Sequence, residues 1–294
     1  RLRAAGVNFP DTLIIAGKYQ FKPSLPFTPG VEAAGIVAEV APDVARFRPG
    51  DRVITRQRLG GYAEEIVLPA SQLTPLPAAF GFAEGATFMV AGLTAYHALV
   101  QRAALEPREV LLVHGAGGGV GLAAVEIGKR LGATVIAAAS TDAKLAVAKS
   151  RGADHLVNTS REDFVEAVRR LTGGAGADVI YDPIGGAVLT QSLRCIAWQG
   201  RLLVVGFAGG TIPELPANRI LLKGCSVIGV RAGEATRHDP AAGKAVHDAL
   251  FAAAAEGHLR PHVSHTLPLA RFAEAMRLLM SRQAIGRVAL TSEG

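Results

Sequence analysis

A glycine-rich segment between two apolar stretches carries the most specific chemistry of this sequence. The segment HGAGGGVG (114–121) puts Ala116, Gly118 and Gly121 at the three small-residue positions of a G/A-x-G-x-x-G pattern. Without a Cβ, Gly118 lets the backbone approach a pyrophosphate, and Gly121 lets a following helix pack on the strand. The first turn of that helix would offer unpaired N–H groups and a positive dipole to the anion. The pattern predicts a dinucleotide site whose ligands include Gly117, Gly118, Gly119, Val120 and Gly121.

The type of nicotinamide is indicated by the residues that follow the next strand. An NAD site usually has an acidic residue about 20 positions after the glycines, where it binds the ribose hydroxyls. Here the strand ends in AAAS, and Ser140 and Lys144 can hydrogen-bond and neutralise a 2′-phosphate. Asp142 is the nearest acid, and a first-turn helix position accounts for it, because the helix dipole stabilises a carboxylate there. We therefore predict NADPH as the cofactor, with Ser140 and Lys144 among its ligands.

These residues require a framework of alternating strands and helices, and the hydrophobic pattern predicts one from about residue 93. Glu109–Gly115 is an apolar run of strand length, and Val120–Leu131 has one apolar helical face that ends at Gly132. Such alternation builds a doubly wound parallel sheet of the Rossmann type. Further strands are predicted at Thr134–Ala138, His155–Asn158, Asp178–Asp182, Arg201–Val205 and Ser226–Val230, and further helices at Asp142–Gly152 and near Glu162–Leu171.

The first 75 residues and the last 35 or so have a different pattern. Short β segments separated by glycine and proline turns, such as AAGIVAEV (33–40) and AEEIVL (63–68), predict a barrel-like β domain. The tail adds a predicted strand at Pro261–His265, a helix around Leu269–Ser281 and a strand at Arg287–Leu290. The chain is thus predicted to combine a Rossmann-like sheet with a β-barrel domain.

Composition narrows the classes of function. With 294 residues, 49% of them hydrophobic, the chain is long enough for two packed domains. The net charge of +6 comes from scattered residues with no basic arm, which does not favour a nucleic-acid partner. No apolar run reaches the length of a membrane span, so no membrane partner is predicted. The only cysteines, Cys195 and Cys225, provide no disulfide framework, and we expect a reducing, cytoplasmic setting.

Eight segments of the chain together suggest a family. In order they are AAGVNFPDTL, LPFTPGVEAAGIV, RFRPGDRV, GGYAEEIVLPA, GLTAYHAL, HGAGGGVG, YDPIGG and VVGFAGG. They resemble the zinc-independent quinone oxidoreductase branch of the medium-chain dehydrogenase/reductase superfamily. The resemblance implies a GroES-like β-barrel catalytic domain formed by 1–92 and 232–294, with a Rossmann-like NADP-binding domain over 93–231. It further implies a homodimer joined through the strand 226–230, and opening barrel strands that have no counterpart before Arg1.

The same resemblance implies an activity and the residues that serve it. The expected reaction is NADPH-dependent reduction of quinones or related α,β-unsaturated carbonyls, by hydride transfer or by stepwise electron transfer. Asn8 would orient the nicotinamide carboxamide or a substrate oxygen, Tyr19 would hydrogen-bond the acceptor carbonyl, and Thr94 would line the same cleft. The segment VVGFAGG implies three further cofactor ligands, Gly206, Phe207 and Ala208.

Metal chemistry is not expected. Zinc enzymes of the superfamily carry a Gly-His-Glu run that supplies a ligand, whereas this chain has valine in the middle of Gly30-Val31-Glu32, and valine cannot coordinate. The nearest histidine cluster, which consists of His258, His262 and His265, lacks an acidic or cysteine partner to complete a tetrahedral site. We therefore predict a reductase without a catalytic metal.

Two alternatives remain open from the sequence. On the same scaffold, an enoyl-thioester reductase acting on acyl-CoA or acyl-carrier substrates would use the same cofactor. A crystallin-like protein that binds RNA through its basic surface, with catalysis secondary, is the alternative of a different class. Assays with quinone and enoyl-CoA acceptors would separate the two enzymes, and salt-dependent RNA binding would support the third.

Overall fold

The structure is a computed structural model that describes residues 1–292. The chain divides into two compact units. The first comprises Arg1–Ala91 and the stretch from Ala254 onward, and the second comprises Gly92–Ala253. Residues 232–253, which were expected in the discontinuous domain, group with the second unit.

Twelve strands and eleven α-helices are present in the described residues. The strands are β1 (Leu2–Val7), β2 (Glu32–Ile36), β3 (Arg52–Arg56), β4 (Leu73–Pro75), β5 (Val110–His114), β6 (Thr134–Ala139), β7 (His155–Asn158), β8 (Ala177–Asp182), β9 (Ile196–Val204), β10 (Ser226–Gly229), β11 (Val263–Pro268) and β12 (Arg287–Thr291). The helices are α1 (Phe9–Ile15), α2 (Phe82–Gly85), α3 (Met89–Tyr96), α4 (Gly119–Arg130), α5 (Asp142–Ser150), α6 (Phe164–Leu171), α7 (Gly186–Ser192), α8 (Ala217–Lys223), α9 (Ala232–His238), α10 (Pro240–Ala255) and α11 (Phe272–Met280).

The second unit contains a six-stranded sheet in the order β10-β9-β8-β5-β6-β7, and every pair in it is parallel. This is the order of a Rossmann-type sheet, in which ligands bind beyond the carboxyl ends of the strands where the order reverses. Leu112 on β5 and Ile180 on β8 lie in its core with almost no exposed surface, as expected for a sheet covered by helices. The predicted parallel sheet is therefore confirmed.

Local sequence accounts for the helix that follows β6. Thr141 has extended backbone angles and its hydroxyl accepts a hydrogen bond from the Lys144 backbone N–H at 3.3 Å, so it is the N-cap of α5. Asp142 is then the first helical residue, as the sequence pattern predicted. Strand β9 begins at Ile196, five positions before the predicted start at Arg201, and it contains Gln199, whose φ of 58° is positive.

The first unit contains a second six-stranded sheet, in the order β11-β12-β1-β2-β3-β4. Strand β1 is antiparallel to both of its neighbours, with Ala4 opposite Thr291 of β12 and Ala5 opposite Ala33 of β2. The interior of this unit includes Val7 and Val288, which are almost fully buried.

Two elements of the first unit differ from the prediction. The segment 63–68, predicted as a strand, has no strand conformation. The Leu2 N–H donates a hydrogen bond to the Glu64 carbonyl at 2.7 Å, but the segment does not continue as a strand. Val67 is 98% exposed. The short helix α1 was not predicted, because only seven residues follow its cap, too few to establish a helical period. Within the described residues, no helix is long and apolar enough to cross a membrane.

Candidate active site

The glycine-rich loop joins β5 to α4 in the second unit and has the shape that its sequence predicts. Gly115 has a positive φ of 58°, and its carbonyl accepts a hydrogen bond from the Gly118 N–H at 2.9 Å. A Cβ on Gly121 would lie 2.2 Å from the Gly115 oxygen and 2.9 Å from the Cα of Ala116. Any larger residue at position 121 would therefore push the first turn of α4 away from the loop.

The space around the loop fits a dinucleotide phosphate. A Cβ on Gly118 would meet nothing closer than the Gly115 oxygen at 3.4 Å, so no other described group fills the space beside its backbone. The first turn of α4 contains Gly119, Val120 and Gly121, and its N–H groups have no partners inside the helix. It is also the positive end of the dipole of this twelve-residue helix. These features satisfy the requirements of a pyrophosphate site.

Lys144 lies directly against this loop. A Cβ on Gly117 would meet the Cβ of Lys144 at 2.5 Å and its Cγ at 2.6 Å, so the lysine stem packs on the glycine backbone. The structure thereby brings together a residue predicted to bind the pyrophosphate, Gly117, and one predicted to bind the 2′-phosphate, Lys144. Ser140 follows β6 and is exposed, and its carbonyl accepts a hydrogen bond from the Ser160 hydroxyl at 2.9 Å.

Asp142, two residues after Ser140, has one polar partner at each of its carboxylate oxygens. Arg161 contacts Oδ2 of Asp142 at 2.7 Å, and the Asn158 side-chain amide donates to Oδ1 at 2.6 Å. Neither Asn158 nor Arg161 was singled out from the sequence, because Asn158 ends the next strand, Arg161 follows it, and only the fold brings them to the start of α5.

A second pair of loops lies at the carboxyl ends of β8 and β9. Oδ1 of Asp182 accepts hydrogen bonds from the Ile184 N–H at 2.6 Å and the Gly185 N–H at 2.9 Å, which fixes the turn after β8. The Ala208 N–H donates to the Pro183 carbonyl at 3.0 Å, and the Phe207 ring lies so close to Gly185 that a Cβ there would meet it at 2.6 Å. Gly206, Phe207 and Ala208 thus belong to a hydrogen-bonded pair of loops beside the glycine-rich turn, since β8 neighbours both β5 and β9.

Asp182 was missed by sequence reasoning as a residue of this site. It is fully buried, Oδ2 has no hydrogen-bond partner among the described residues, and burial raises the pKa of its carboxyl to about 6. An acidic residue closing an apolar strand, followed by a proline and two glycines, is the signal that could have found it, because buried carboxylates are rarely present without a structural partner.

The first unit holds a buried polar cluster around Asn8. The Asn8 amide nitrogen donates to Oε1 of Glu32 at 3.0 Å and to the Gly6 carbonyl at 3.3 Å, while Arg287 donates to its Oδ1 at 2.8 Å. Arg287 is also ion-paired with Glu32, which is fully buried and accepts a hydrogen bond from the Val90 N–H at 2.9 Å. Burial raises the pKa of Glu32, and the Arg287 guanidinium acts in the opposite direction. The amide of Asn8 is therefore held in one orientation.

Asp11 adds a second buried carboxyl to the cluster. Its Oδ2 accepts hydrogen bonds from the Asn8 backbone N–H at 2.9 Å and from the Tyr62 hydroxyl at 3.1 Å, while Oδ1 is buried with no partner among the described residues. Burial raises the pKa of Asp11 to about 7, and it raises the pKa of Tyr62 well above its usual value, with Asp11 contributing. The pair can therefore hold a proton near neutral pH.

The remaining predicted residues lie in different parts of the chain. Tyr19 is half-buried in a bend that follows α1, in the same unit as Asn8. Thr94 is half-buried on α3 and belongs to the second unit. Val31 directly precedes β2 and Glu32 begins it.

Comparisons with known proteins identify the family. A family model described as alcohol dehydrogenase GroES-like domain matches residues 1–78, and one described as zinc-binding dehydrogenase matches 119–247. The quinone oxidoreductase-like protein 2 homolog of Nematostella vectensis is 37% identical over 294 residues, which cover 99% of this chain and 80% of that protein. The Escherichia coli quinone oxidoreductase, solved in complex with NADPH, is 33% identical with a TM-score of 0.88, covering 99% of this chain and 90% of that one. This chain belongs to the quinone oxidoreductase branch of the medium-chain dehydrogenase/reductase superfamily.

Membership in the quinone oxidoreductase branch confirms the fold class predicted from the sequence, a Rossmann-like sheet with a GroES-like domain. It does not by itself decide the nicotinamide, because a solved NAD-dependent alcohol dehydrogenase is also similar, with 32% identity and a TM-score of 0.88 over 99% of this chain and 90% of that one. Residues 1–292 contain no group of three or more His, Cys, Asp or Glu side chains that could hold a metal ion.

Proposed function

We propose that the protein catalyses NADPH-dependent reduction of quinones or related α,β-unsaturated carbonyls without a catalytic metal. The observation that carries this proposal is the glycine cradle at the start of α4, where Gly121 contacts the loop backbone and the Lys144 stem packs on Gly117. The NADPH named for the Escherichia coli relative supports the same cofactor. Gly117, Gly118, Gly119, Val120 and Gly121 would bind the pyrophosphate, and Gly206, Phe207 and Ala208 would contact the nicotinamide half.

The choice of NADPH follows from the residues after β6. Ser140, the first residue after β6, provides a hydroxyl where the strand of an NAD site ends in a carboxylate, and Lys144 adds a cation. A 2′-phosphate accepts hydrogen bonds and carries negative charge, so both side chains favour it over a hydroxyl.

The protein's contribution to the reaction is orientation and stabilisation of charge. When bound, the reduced nicotinamide supplies the hydride, or the electrons in a stepwise route. Asn8 has one Oδ1 lone pair left after its bonds within the cluster, and this lone pair would orient a carboxamide or substrate donor. Tyr19 would donate a hydrogen bond to the acceptor oxygen as negative charge develops there, and Thr94 would line the acceptor site.

Metal independence is supported by the chemistry of the side chains. Val31 stands where zinc-dependent relatives have a ligating histidine, and its neighbour Glu32 is committed to Arg287 and Asn8. A zinc ion would need three or four nitrogen, sulfur or oxygen ligands at about 2.0–2.3 Å. Metal analysis of the purified protein should find no stoichiometric zinc, and chelators should leave turnover unchanged.

A homodimer joined through β10 and the following residue, 226–230, is part of the proposal. Strand β10 is an edge of its sheet, and unpaired edges readily accept a strand from a second copy. Leu221 and Leu222 on the preceding helix are 79% and 72% exposed, and Trp198, which packs near Gly224, is 68% exposed. Sedimentation velocity should find a dimer, and a charge introduced at Leu222 should weaken it.

The test of the activity is a panel of acceptors assayed with both nicotinamides. We expect NADPH oxidation with quinones and enones to exceed that with enoyl-CoA, and NADPH to be preferred over NADH. A preference for enoyl-CoA would identify an enoyl-thioester reductase instead. Salt-dependent RNA binding with no turnover on any acceptor would refute the enzymatic proposal. We also expect the protein to act in the reducing cytoplasm, where the buried free thiols Cys195 and Cys225 would persist.

A further inference from the structure

The start of α5 has an acidic residue at a position that ought to oppose NADPH. Asp142 follows Gly121 by 21 positions and is the first residue of α5, immediately beyond Ser140 and Thr141. A carboxylate about 20 residues after the glycines is the usual ligand of an unphosphorylated ribose. Left uncompensated, it would repel the dianionic 2′-phosphate of NADPH.

The location of Asp142 beside the cofactor site follows from contacts within the second unit. Strand β6 is parallel to β5, with Ala138 opposite His114, so the residues after both strands lie on the same edge of the sheet. Lys144, two residues after Asp142, packs on Gly117 of the glycine-rich loop. The first turn of α5 is thus adjacent to the proposed pyrophosphate site.

The last residue of β7, Asn158, and Arg161 in the loop after it both contact this carboxylate. Arg161 forms an ion pair with Oδ2 at 2.7 Å, and the amide of Asn158 donates to Oδ1 at 2.6 Å. Asn158 also fixes the loop, because its own Oδ1 accepts from the Ser160 N–H at 3.1 Å and its carbonyl accepts from the Arg161 N–H at 3.0 Å. The Ser160 hydroxyl then ties the loop to the Ser140 carbonyl at 2.9 Å. These contacts join the start of α5 to the end of β7 and the loop after it, next to the proposed cofactor site.

We propose that Arg161, supported by Asn158, sets the nicotinamide specificity of this protein by neutralising Asp142. The inference deepens the proposed function and rests on NADPH being its cofactor. In this arrangement the Asp142–Arg161 pair carries no net charge, and each carboxylate oxygen already has one partner. Ser140 and Lys144 can then bind the 2′-phosphate without repulsion from the carboxylate. Arg161 is a specificity-determining residue that acts through Asp142 and need not touch the cofactor itself.

The experiment is a double-mutant cycle read as binding, independent of turnover. Dissociation constants for NADPH and NADH are measured by fluorescence titration or calorimetry at low ionic strength for the unmodified protein, Arg161→Gln, Asp142→Asn and the double variant. Arg161→Gln should weaken NADPH binding by about five- to ten-fold, since it exposes one negative charge to a phosphate of charge near −2 through water. NADH binding should change less than about two-fold.

The NADPH affinity of the double variant shows whether Arg161 acts by neutralising Asp142 or by contacting the phosphate directly. Asp142→Asn combined with Arg161→Gln should return the NADPH affinity to within about two-fold of the original, because no charge is left to neutralise. The loss in Arg161→Gln should shrink in high salt, because both side chains are largely exposed, 71% for Arg161 and 60% for Asp142. As a matched control, Arg170→Gln removes an exposed arginine from its ion pair with Glu162 and should leave the affinity ratio unchanged.

The outcomes separate this inference from the proposed function. If the unmodified protein binds NADH as tightly as NADPH, the proposed cofactor is wrong and this inference is overturned with it. If NADPH is preferred but Arg161→Gln leaves that preference intact, only the inference is overturned. A loss that Asp142→Asn does not restore would also overturn it, because Arg161 would then contact the phosphate directly. Equal melting temperatures among the variants would exclude unfolding as the cause.

Discussion

Replacing Asp11 by asparagine should change how the stability of the protein depends on pH. Asp11 is fully buried, and burial raises the pKa of its carboxyl from 3.8 to about 7. Folding therefore favours the protonated form, so the stabilising effect is complete below about pH 4 and is lost as the pH rises to about 7. The full shift corresponds to about 4 kcal/mol, of which about 2.5 kcal/mol falls between pH 5 and pH 8.

Asparagine keeps the local contacts while removing the titration. Its amide oxygen can accept the hydrogen bonds that Oδ2 receives from Asn8 and Tyr62, and its NH2 group takes the place of Oδ1, which has no partner in the described residues. The buried NH2 group costs about 1–3 kcal/mol at every pH, so the test lies in the slope and not in the absolute stability. Glu32, Tyr62 and Arg287 face Asp11 in both proteins, and their titration cancels to first order in the comparison.

The assay is urea unfolding followed by circular dichroism at pH 5 and pH 8. The unmodified protein should lose about 2–3 kcal/mol more of its free energy of unfolding over this interval than Asp11→Asn does. Asp43→Asn, which alters an exposed carboxylate, should behave like the unmodified protein. Equal losses in the unmodified protein and in Asp11→Asn would refute the argument that the buried carboxyl titrates near neutrality.

Three further substitutions test the cofactor and acceptor sites. Gly121→Ala should destabilise the protein by about 1–3 kcal/mol and weaken NADPH binding, since its Cβ would meet the Gly115 oxygen at 2.2 Å, and unchanged thermal melts and NADPH affinity would contradict this close approach. Ser140→Asp should move the ratio of dissociation constants toward NADH, and an unchanged ratio would remove Ser140 from the phosphate site. Tyr19→Phe should lower kcat about ten- to a hundred-fold with little change in KM, and unchanged turnover on both a quinone and an enone would leave Tyr19 without a role in the reaction.

The second unit could be predicted closely because short stretches of sequence specify its strands, its helices and its glycine-rich loop. Strands β5, β6 and β8 are largely apolar runs of normal length, and the helices α4, α5 and α6 each have a cap or an apolar face. The glycine pattern fixes the loop after β5 through contacts between residues only six positions apart, Gly115 and Gly121. Parallel pairing and strand order then follow from general rules of α/β topology.

The buried cluster of the first unit could not be assembled from local patterns. Glu32 and Arg287 are 255 positions apart, and Tyr62 reaches Asp11 across 51. Asn8 was selected from its sequence context, but its partners were not, because hydrogen bonds between distant segments leave no periodicity. One signal was available: Glu32 and Arg287 each begin a strand whose next three residues have no polar side chain, and a charge in such a position requires a buried partner. The pairing of Arg161 with Asp142 was hidden for the same reason, since only the β6–β7 ladder brings them together.

The antiparallel pairing of β1 with β12 has a consequence for synthesis on the ribosome. Strand β1 is translated before the second unit, but one of its two neighbours, β12, emerges only after the whole second unit has been made. Until then Glu32 has no Arg287, and a carboxylate buried without its counter-charge is strongly unfavourable. The nascent first unit must therefore keep Glu32 hydrated or protonated even after the second unit has been fully translated. Closure of the first unit thus depends on a single arginine that is translated 255 residues after its partner.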